Sequence, residues 1–237
     1  MKLIQILLII TCIAFAEDRS FTIMVSFDGF RYDYIEKINT PNLDFIIKNG
    51  VKAESLIPVF PSLTFPNHYS IATGCYTETH KIMGNSFYSK EHNEYYSYKD
   101  SKTVQNRKFY DCEPIWVTAE RQNIRTATYF WVGSEAKIKG HYPSIYKNYK
   151  SDVDFISRID SALAWLELPI EERPRLIMLY FNEPDYTAHK YGPLDTSVIE
   201  KVKYLDNILG ELIIGINKKS FKNKINLIIV SDHGMAS

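Results

Sequence analysis

Aspartate and histidine residues follow three apolar segments of the chain at the point where each segment ends. Asp28 follows the first, Asp185 and His189 follow the second, and Asp232 with His233 follows the last. Carboxylates and imidazoles together suit Zn²⁺ and related divalent ions. Asp185 and His189 are four residues apart, so both could face one ion if their segment is helical. Each pair alone is more often a cap, turn or surface pair. Their shared position after strands favours a metal site.

Thr64, in the segment PSLTFPNH, could supply a nucleophile. A free hydroxyl is a weak nucleophile, but coordination to a metal ion lowers its pKa. Thr64 also precedes a predicted helix, whose first amides and positive dipole end favour a phosphate. The alternative is that Thr64 only caps this helix, but beside the metal-ligand candidates the nucleophile is favoured. Asn85, after Gly84, could donate a hydrogen bond to a phosphoryl oxygen or could be a turn residue.

Apolar segments and segments of helical periodicity alternate along the chain. The predicted strands are 21–27, 51–59, 124–130, 175–181 and 225–230, and the predicted helices are 41–50, 66–73, 113–122, 152–168 and 196–216. This alternation predicts an α/β fold, with a mostly parallel sheet and helices on both faces. Residues 86–111 lack periodicity and are expected to leave the sheet. Ligands of such sheets collect outside the carboxyl ends of the strands, where the candidate residues lie.

The composition limits the classes of partner and the compartment. The chain of 237 residues carries 28 basic and 28 acidic residues, so its net charge gives no reason to expect binding to a nucleic-acid duplex. Lys2, a short apolar run and Ala14-Phe15-Ala16 predict a secretory signal peptide over residues 1–16, with an uncleaved anchor as the alternative. One domain is then expected over residues 17–237. Outside the cytosol Cys75 and Cys112 could pair, although spacing alone does not show it.

Five segments of the chain together resemble a known family. They are VSFDGFR (25–31), LTFPNHYSIATG (63–74), EPIWVTAE (113–120), EPDYTAHKYGP (183–193) and SDHGM (231–235). In this order they resemble the ectonucleotide pyrophosphatase/phosphodiesterase family of the alkaline phosphatase-like superfamily. The resemblance implies an alkaline phosphatase-like fold and an extracellular hydrolase that forms a phospho-threonine intermediate.

The resemblance also implies roles for individual residues. It implies two Zn²⁺ ions, the first held by Asp28, Thr64, Asp232 and His233, and the second by Asp185, His189 and one further His. Thr64 would be the nucleophile and Asn85 would bind the phosphate. Phe65 and Tyr149 would clamp a nucleotide base, or else they serve packing only.

Two departures from the family pattern bear on these expectations. Leu63 stands where the family commonly has Lys or another polar residue, which leaves the substrate class open. No His follows His233, so the second zinc site lacks one ligand. We therefore expect a catalytic domain that is incomplete at its C-terminus, with any membrane anchor in the missing sequence. An insertion after Asn85 favours nucleotides over lysophospholipids as substrates.

The predicted function is that of a zinc-dependent nucleotide pyrophosphatase/phosphodiesterase, secreted or on the extracellular face of the plasma membrane. Its partner would be a nucleotide or another small phosphodiester. A phosphomonoesterase of the same superfamily is one alternative. A non-catalytic, truncated relative that acts as a binding protein is the other.

Overall fold

The computed structural model describes residues 20–236, so the predicted signal peptide lies outside the described residues. The strands are β1 (Phe21–Phe27), β2 (Ser86–Ser89), β3 (Glu94–Ser97), β4 (Thr126–Tyr129), β5 (Ile145–Lys147), β6 (Leu176–Phe181) and β7 (Ile225–Val230). Five of them form one sheet in the order β5-β4-β6-β1-β7. Every neighbouring pair in this sheet is parallel. The predicted α/β fold class is thus confirmed.

Apart from residues 130–144, which join β4 to β5 without a helix, the connections between the parallel strands contain helices. They are α1 (Tyr34–Lys37), α2 (Pro41–Asn49), α3 (Thr64–Thr73), α4 (Thr77–His80), α5 (Ser101–Val104), α6 (Ile115–Arg121), α7 (Phe155–Trp165), α8 (Asp185–Tyr191) and α9 (Thr196–Asn217). The carboxylates of Asp154 and Asp195 cap α7 and α9 by accepting bonds from backbone amides of their first turns. Within residues 20–236 no helix is long and apolar enough to cross a membrane.

The sheet is covered on both faces. Ile177 and Leu179 of β6 lie in an apolar cluster with residues of α7 and α9. Met178 lies in a second cluster with residues of α3 and α6. Since successive side chains of a strand point to opposite faces, the two clusters occupy opposite sides of the sheet.

The predicted strand at 51–59 is wrong. These residues form an irregular, exposed segment, with Val51 98% and Ile57 85% exposed. The side chain of Asn67 forms hydrogen bonds with backbone groups of this segment and of the residues after it. Its Oδ1 accepts from the Val59 amide at 2.7 Å, and its Nδ2 donates to the Leu63 carbonyl at 2.9 Å. Thr64 therefore follows an irregular segment that is hydrogen-bonded to α3, and does not follow the end of a strand.

Residues 86–111 leave the main sheet and form a separate unit. Strands β2 and β3 pair as an antiparallel hairpin, followed by α5. A disulfide joins Cys75, just after α3, to Cys112 at the end of this unit. The hydroxyl of Tyr69 donates to the Asp111 carbonyl at 3.0 Å beside it. The unit is thereby fixed to the helix that begins at Thr64.

Candidate active site

Three adjacent strands bring the candidate ligands together. Strand β1 lies between β6 and β7, and the pairing continues past the strand ends, because the Asp28 amide donates to the Phe181 carbonyl at 2.9 Å. The Asp185 amide donates to the Asp28 carbonyl at 3.0 Å. On the other side, the Gly29 amide donates to Oδ1 of Asp232 at 3.1 Å. The three aspartates are thus fixed by backbone hydrogen bonds at one edge of the sheet.

The residues predicted for the first zinc site lie within contact distance of one another. Nε2 of His233 lies 3.4 Å from Oδ1 of Asp28 and 3.2 Å from Oδ2 of Asp232. Oγ1 of Thr64 lies 3.5 Å from Oδ1 of Asp28 and 3.4 Å from Nε2 of His233. Nε2 of His233 therefore lies within 3.4 Å of one oxygen atom of each of the other three predicted ligands.

The pair predicted for the second zinc site lies beside the first. Oδ1 of Asp185 and Nε2 of His189 are 3.5 Å apart, one turn along α8. Ligand atoms of Asp28, Asp185 and His233 all lie within 4.8 Å of one another. Gly29, with φ +66°, allows this approach, because a Cβ there would lie 2.8 Å from Cβ of Asp185.

The buried carboxylates repel one another. Burial raises the pKa of Asp28 well above its usual range, and the charges of Asp232 and Asp185 raise it further. Burial also raises the pKa of Asp185, although His189 and His233 oppose this. Burial would raise the pKa of Asp232 too, but His68 and His233 outweigh it and lower the pKa. Such clustered, desolvated negative charge is what a bound cation would compensate.

Two orphaned oxygen atoms fit a cation at this position. Within residues 20–236, Oδ1 of Asp185 and Oδ2 of Asp232 are buried and have no hydrogen-bond partner. A buried acceptor without a partner is costly unless an ion or water satisfies it. Carboxylate oxygens and imidazole nitrogens are the donors that zinc takes in such sites. The residues present therefore fit a divalent metal.

Thr64 is the first residue of α3 and does not cap it. Leu63 occupies the capping position without a side-chain hydrogen bond, so the Thr64 hydroxyl is left facing Asp28 and His233. Asn85 lies against the same helix end, where its Oδ1 accepts from the Phe65 amide at 2.9 Å. Since its oxygen is used in this way, the NH₂ group of Asn85 remains as a donor.

A cavity of about 890 Å³ opens over these groups, and both predicted base-binding aromatics line it. The ring of Phe65 lies 5.9 Å from that of Tyr98, on the hairpin side. Tyr149 is 45% exposed and packs edge-on against Phe130 at 5.0 Å. The structure brings all the predicted site residues to this region. Those that line the cavity are Asp28, Thr64, Phe65, Asn85, Tyr149, Asp185, His189 and His233, and Asp232 is buried behind its wall.

Residues 22–237 match the family model described as type I phosphodiesterase / nucleotide pyrophosphatase. The chain belongs to this family. Venom phosphodiesterase 2 of Crotalus adamanteus is 42% identical over 220 residues, which are 92% of this chain and 27% of that protein. Ectonucleotide pyrophosphatase/phosphodiesterase family member 1 of Homo sapiens is 42% identical over 216 residues, which are 90% of this chain and 23% of that protein.

Solved structures of this type I phosphodiesterase / nucleotide pyrophosphatase family have the same fold. Murine ectonucleotide pyrophosphatase/phosphodiesterase 5, as an inactive threonine-to-alanine variant in complex with AMP, aligns with a TM-score of 0.86 at 33% identity. The alignment covers 91% of this chain and 57% of that one. The chain spans about a quarter of the length of the curated relatives it matches.

Two residues that contact the candidate ligands of this phosphodiesterase-family site were missed from the sequence. The hydroxyl of Tyr180 donates to Oδ2 of Asp28 at 2.5 Å, and burial raises the pKa of Tyr180, so the hydroxyl stays a donor. His68 lies one helical turn after Thr64, with Nδ1 3.3 Å from Oδ2 of Asp232. The spacing from Thr64 to His68 was a usable signal, whereas nothing local distinguishes Tyr180 from a core tyrosine.

Proposed function

We propose that this chain carries the catalytic site of a zinc-dependent nucleotide pyrophosphatase/phosphodiesterase that acts outside the cell. Residues 17–237 would form the catalytic domain after removal of a signal peptide at 1–16. One observation carries the proposal most directly. The Thr64 hydroxyl lies at the N-terminus of α3, 3.5 Å from a carboxylate of Asp28 and 3.4 Å from the imidazole of His233.

The chain offers ligands for two zinc ions. The first set is Asp28, Thr64, Asp232 and His233, and the second set is Asp185 and His189 together with a further ligand not identified in this chain. Bound zinc would supply positive charge that lowers the pKa of the Thr64 hydroxyl and neutralises phosphoryl oxygens.

Thr64 is proposed as the nucleophile. Its Oγ1 forms a bond to phosphorus while the bond from phosphorus to the leaving oxygen breaks, which gives a phospho-threonine and an alcohol or nucleotide. Hydrolysis of the phospho-threonine then restores the hydroxyl. The NH₂ group of Asn85 would donate to a phosphoryl oxygen, and the positive dipole end of α3 would favour the negative charge that develops there.

A nucleotide is the proposed substrate. Phe65 and Tyr149 line the same cavity as Thr64, and stacking of a base on an aromatic ring would stabilise the complex. The structure of a relative in complex with AMP supports this choice. Leu63 provides no charge beside the phosphate, so affinity would depend on the metal ions and the aromatics.

The test is hydrolysis of the p-nitrophenyl ester of thymidine monophosphate by the complete protein. Thr64→Ala should abolish turnover while zinc content stays near two ions per chain, and Thr73→Ala, at the other end of α3, should leave turnover unchanged. Turnover by the Thr64→Ala protein at the wild-type rate would refute the role of Thr64 as the nucleophile. A faster rate on p-nitrophenyl phosphate would indicate a phosphomonoesterase, and folded protein without zinc or turnover would indicate a binding protein.

A further inference from the structure

His68 is a fully buried histidine that connects the segments delivering the first ligand set. Its Nε2 lies 2.8 Å from Oγ of Ser26 in β1. Its Nδ1 lies 2.9 Å from the carbonyl oxygen of Thr64 and 3.3 Å from Oδ2 of Asp232. One imidazole therefore touches β1, the first turn of α3 and the loop after β7.

The surroundings of His68 define its tautomer. Two oxygen atoms without hydrogens, the Thr64 carbonyl and Oδ2 of Asp232, face Nδ1, so this nitrogen must carry a proton. The Nδ1–H donates to the Thr64 carbonyl, the shorter of the two contacts. The Ser26 hydroxyl can then donate to Nε2.

The ring of His68 is locked in place. It packs edge-on against Trp131 at 5.3 Å and against Tyr180 at 5.0 Å. Nε1 of Trp131 donates to the His68 carbonyl at 3.2 Å. Since Tyr180 also binds Asp28, the packing ties the ring to both carboxylate ligands of the first set.

We propose that His68 is a positioning residue that holds the nucleophile turn in register with the metal ligand Asp232. The inference rests on the proposed function and extends it by one residue. Oδ1 of Asp232 is fixed by the Gly29 amide, which leaves Oδ2 for the metal. His68 fixes the Thr64 carbonyl beside that oxygen, so the distance between nucleophile and ligand depends on the imidazole. Residues that orient metal ligands in this way typically contribute about 10–100-fold in metal affinity or activity.

The alternative is that the Nδ1 bond to Thr64 only stabilises the helix. His80 offers a matched control, because it is also fully buried and both its nitrogens are bonded, to Oγ of Ser70 at 2.9 Å and to the Ile82 amide at 3.1 Å. No contact of His80 with a candidate ligand is found in the described part of the chain. A structural role alone would make changes at His68 and His80 equivalent.

The experiment compares His68→Leu, His68→Asn and His80→Leu in the complete protein. Asn places an amide NH₂ near the position of Nδ1, so it can restore the bond to Thr64. We expect His68→Leu to lower zinc affinity, measured by chelator competition, and kcat by about 10- to 100-fold, with KM for the nucleotide ester within about twofold. His68→Asn should recover most of both losses, and His80→Leu should lower the melting temperature only.

Two results would overturn the inference. One is a folded His68→Leu protein whose zinc affinity and kcat equal those of wild type, and the other is an equal loss in His80→Leu. If His68→Leu does not fold while His80→Leu does, the zinc affinity of a His68→Gln protein decides by the same criterion, and failure of both His68 variants to fold would show a structural role. Wild-type protein without zinc or turnover would instead refute the proposed function, and the inference with it.

Discussion

Replacement of Asp28 by asparagine should change the stability of the metal-free and zinc-loaded protein in opposite directions. Asp28 is buried, and its charge is opposed by Asp232 and Asp185. The amide oxygen of the introduced asparagine could still accept the bond from Tyr180, so the substitution removes charge while keeping this contact. Without metal the protein loses a repulsion, and with zinc it loses an anionic ligand.

The size of the repulsion follows from the geometry. Ligand oxygens of Asp28 and Asp185 lie within 4.8 Å, and two like charges at this distance repel by about 3 kcal/mol at an effective dielectric constant of about 20. Because burial and its neighbours raise the pKa of Asp28, partial protonation relieves some of this repulsion. We therefore expect Asp28→Asn to stabilise the metal-free protein by about 1–3 kcal/mol. For a domain of this size that corresponds to about 2–12 °C in melting temperature.

Thermal unfolding with EDTA and with excess zinc measures both effects. Wild-type protein should gain about 3 kcal/mol when free zinc reaches about one hundred times the Kd, and Asp28→Asn should gain much less at the same concentration. Asp160→Asn, on the exposed side of α7, is the control and should change neither measurement. A lower melting temperature of Asp28→Asn in EDTA, or a zinc-induced gain equal to wild type, would refute this reasoning.

Three further predictions concern the framework of the site. Replacing Cys75 and Cys112 by Ser removes a cross-link between residues 37 apart and should cost about 3–4 kcal/mol in urea unfolding, whereas unchanged stability would contradict the cross-link. Gly29→Ala should weaken zinc binding about tenfold in chelator competition, because the new Cβ would collide with Asp185, and wild-type affinity would show that the turn can shift. Burial lowers the pKa of His80 to about 4 from its usual 6.5, so the folded state binds fewer protons and stability falls as pH drops from 6.5 to 4, by about 3 kcal/mol. The free energy of unfolding of His80→Gln, measured by urea titration, should fall less steeply between pH 6.5 and 4 than that of wild type. An equal dependence on pH would exclude protonation of His80 as the cause.

Local signals were enough to predict the helices α2, α3, α6, α7 and α9 and the strands β1, β4, β6 and β7. The segment 196–216 has apolar residues at helical spacing and forms α9 with almost the same bounds. The segment 51–59 was predicted as a strand from its apolar residues, yet it forms none. Pro58 lies within it, and the side-chain amide of Asn67 forms hydrogen bonds with the Val59 amide and the Leu63 carbonyl in place of a neighbouring strand. These bonds connect residues of two segments, so the local apolar pattern of residues 51–59 does not reveal them.

Strand adjacency was the part of the site that the sequence could not supply. Asp28, Asp185 and Asp232 follow β1, β6 and β7, which are far apart along the chain but neighbours in the sheet. The rule that ligands collect at strand ends placed them on one edge, and the order of strands then brought them within contact. The contact of Tyr180 with Asp28 depends on this packing and has no local signal, whereas the spacing of His68 one helical turn after Thr64 is a local signal.

The same arrangement would make stability depend on metal binding. The Asp185 amide donates to the Asp28 carbonyl and the Gly29 amide donates to Oδ1 of Asp232, so moving the carboxylates apart would cost these bonds. A fold that fixes like charges in this way is less stable than it could be without metal, and the cost is recovered when a cation binds. Weakening the framework at Gly29 should therefore reduce zinc affinity, whereas neutralising Asp28 should relieve the strain that zinc would otherwise compensate. These opposite effects distinguish a preformed metal site from an acidic cluster that has no role in metal binding.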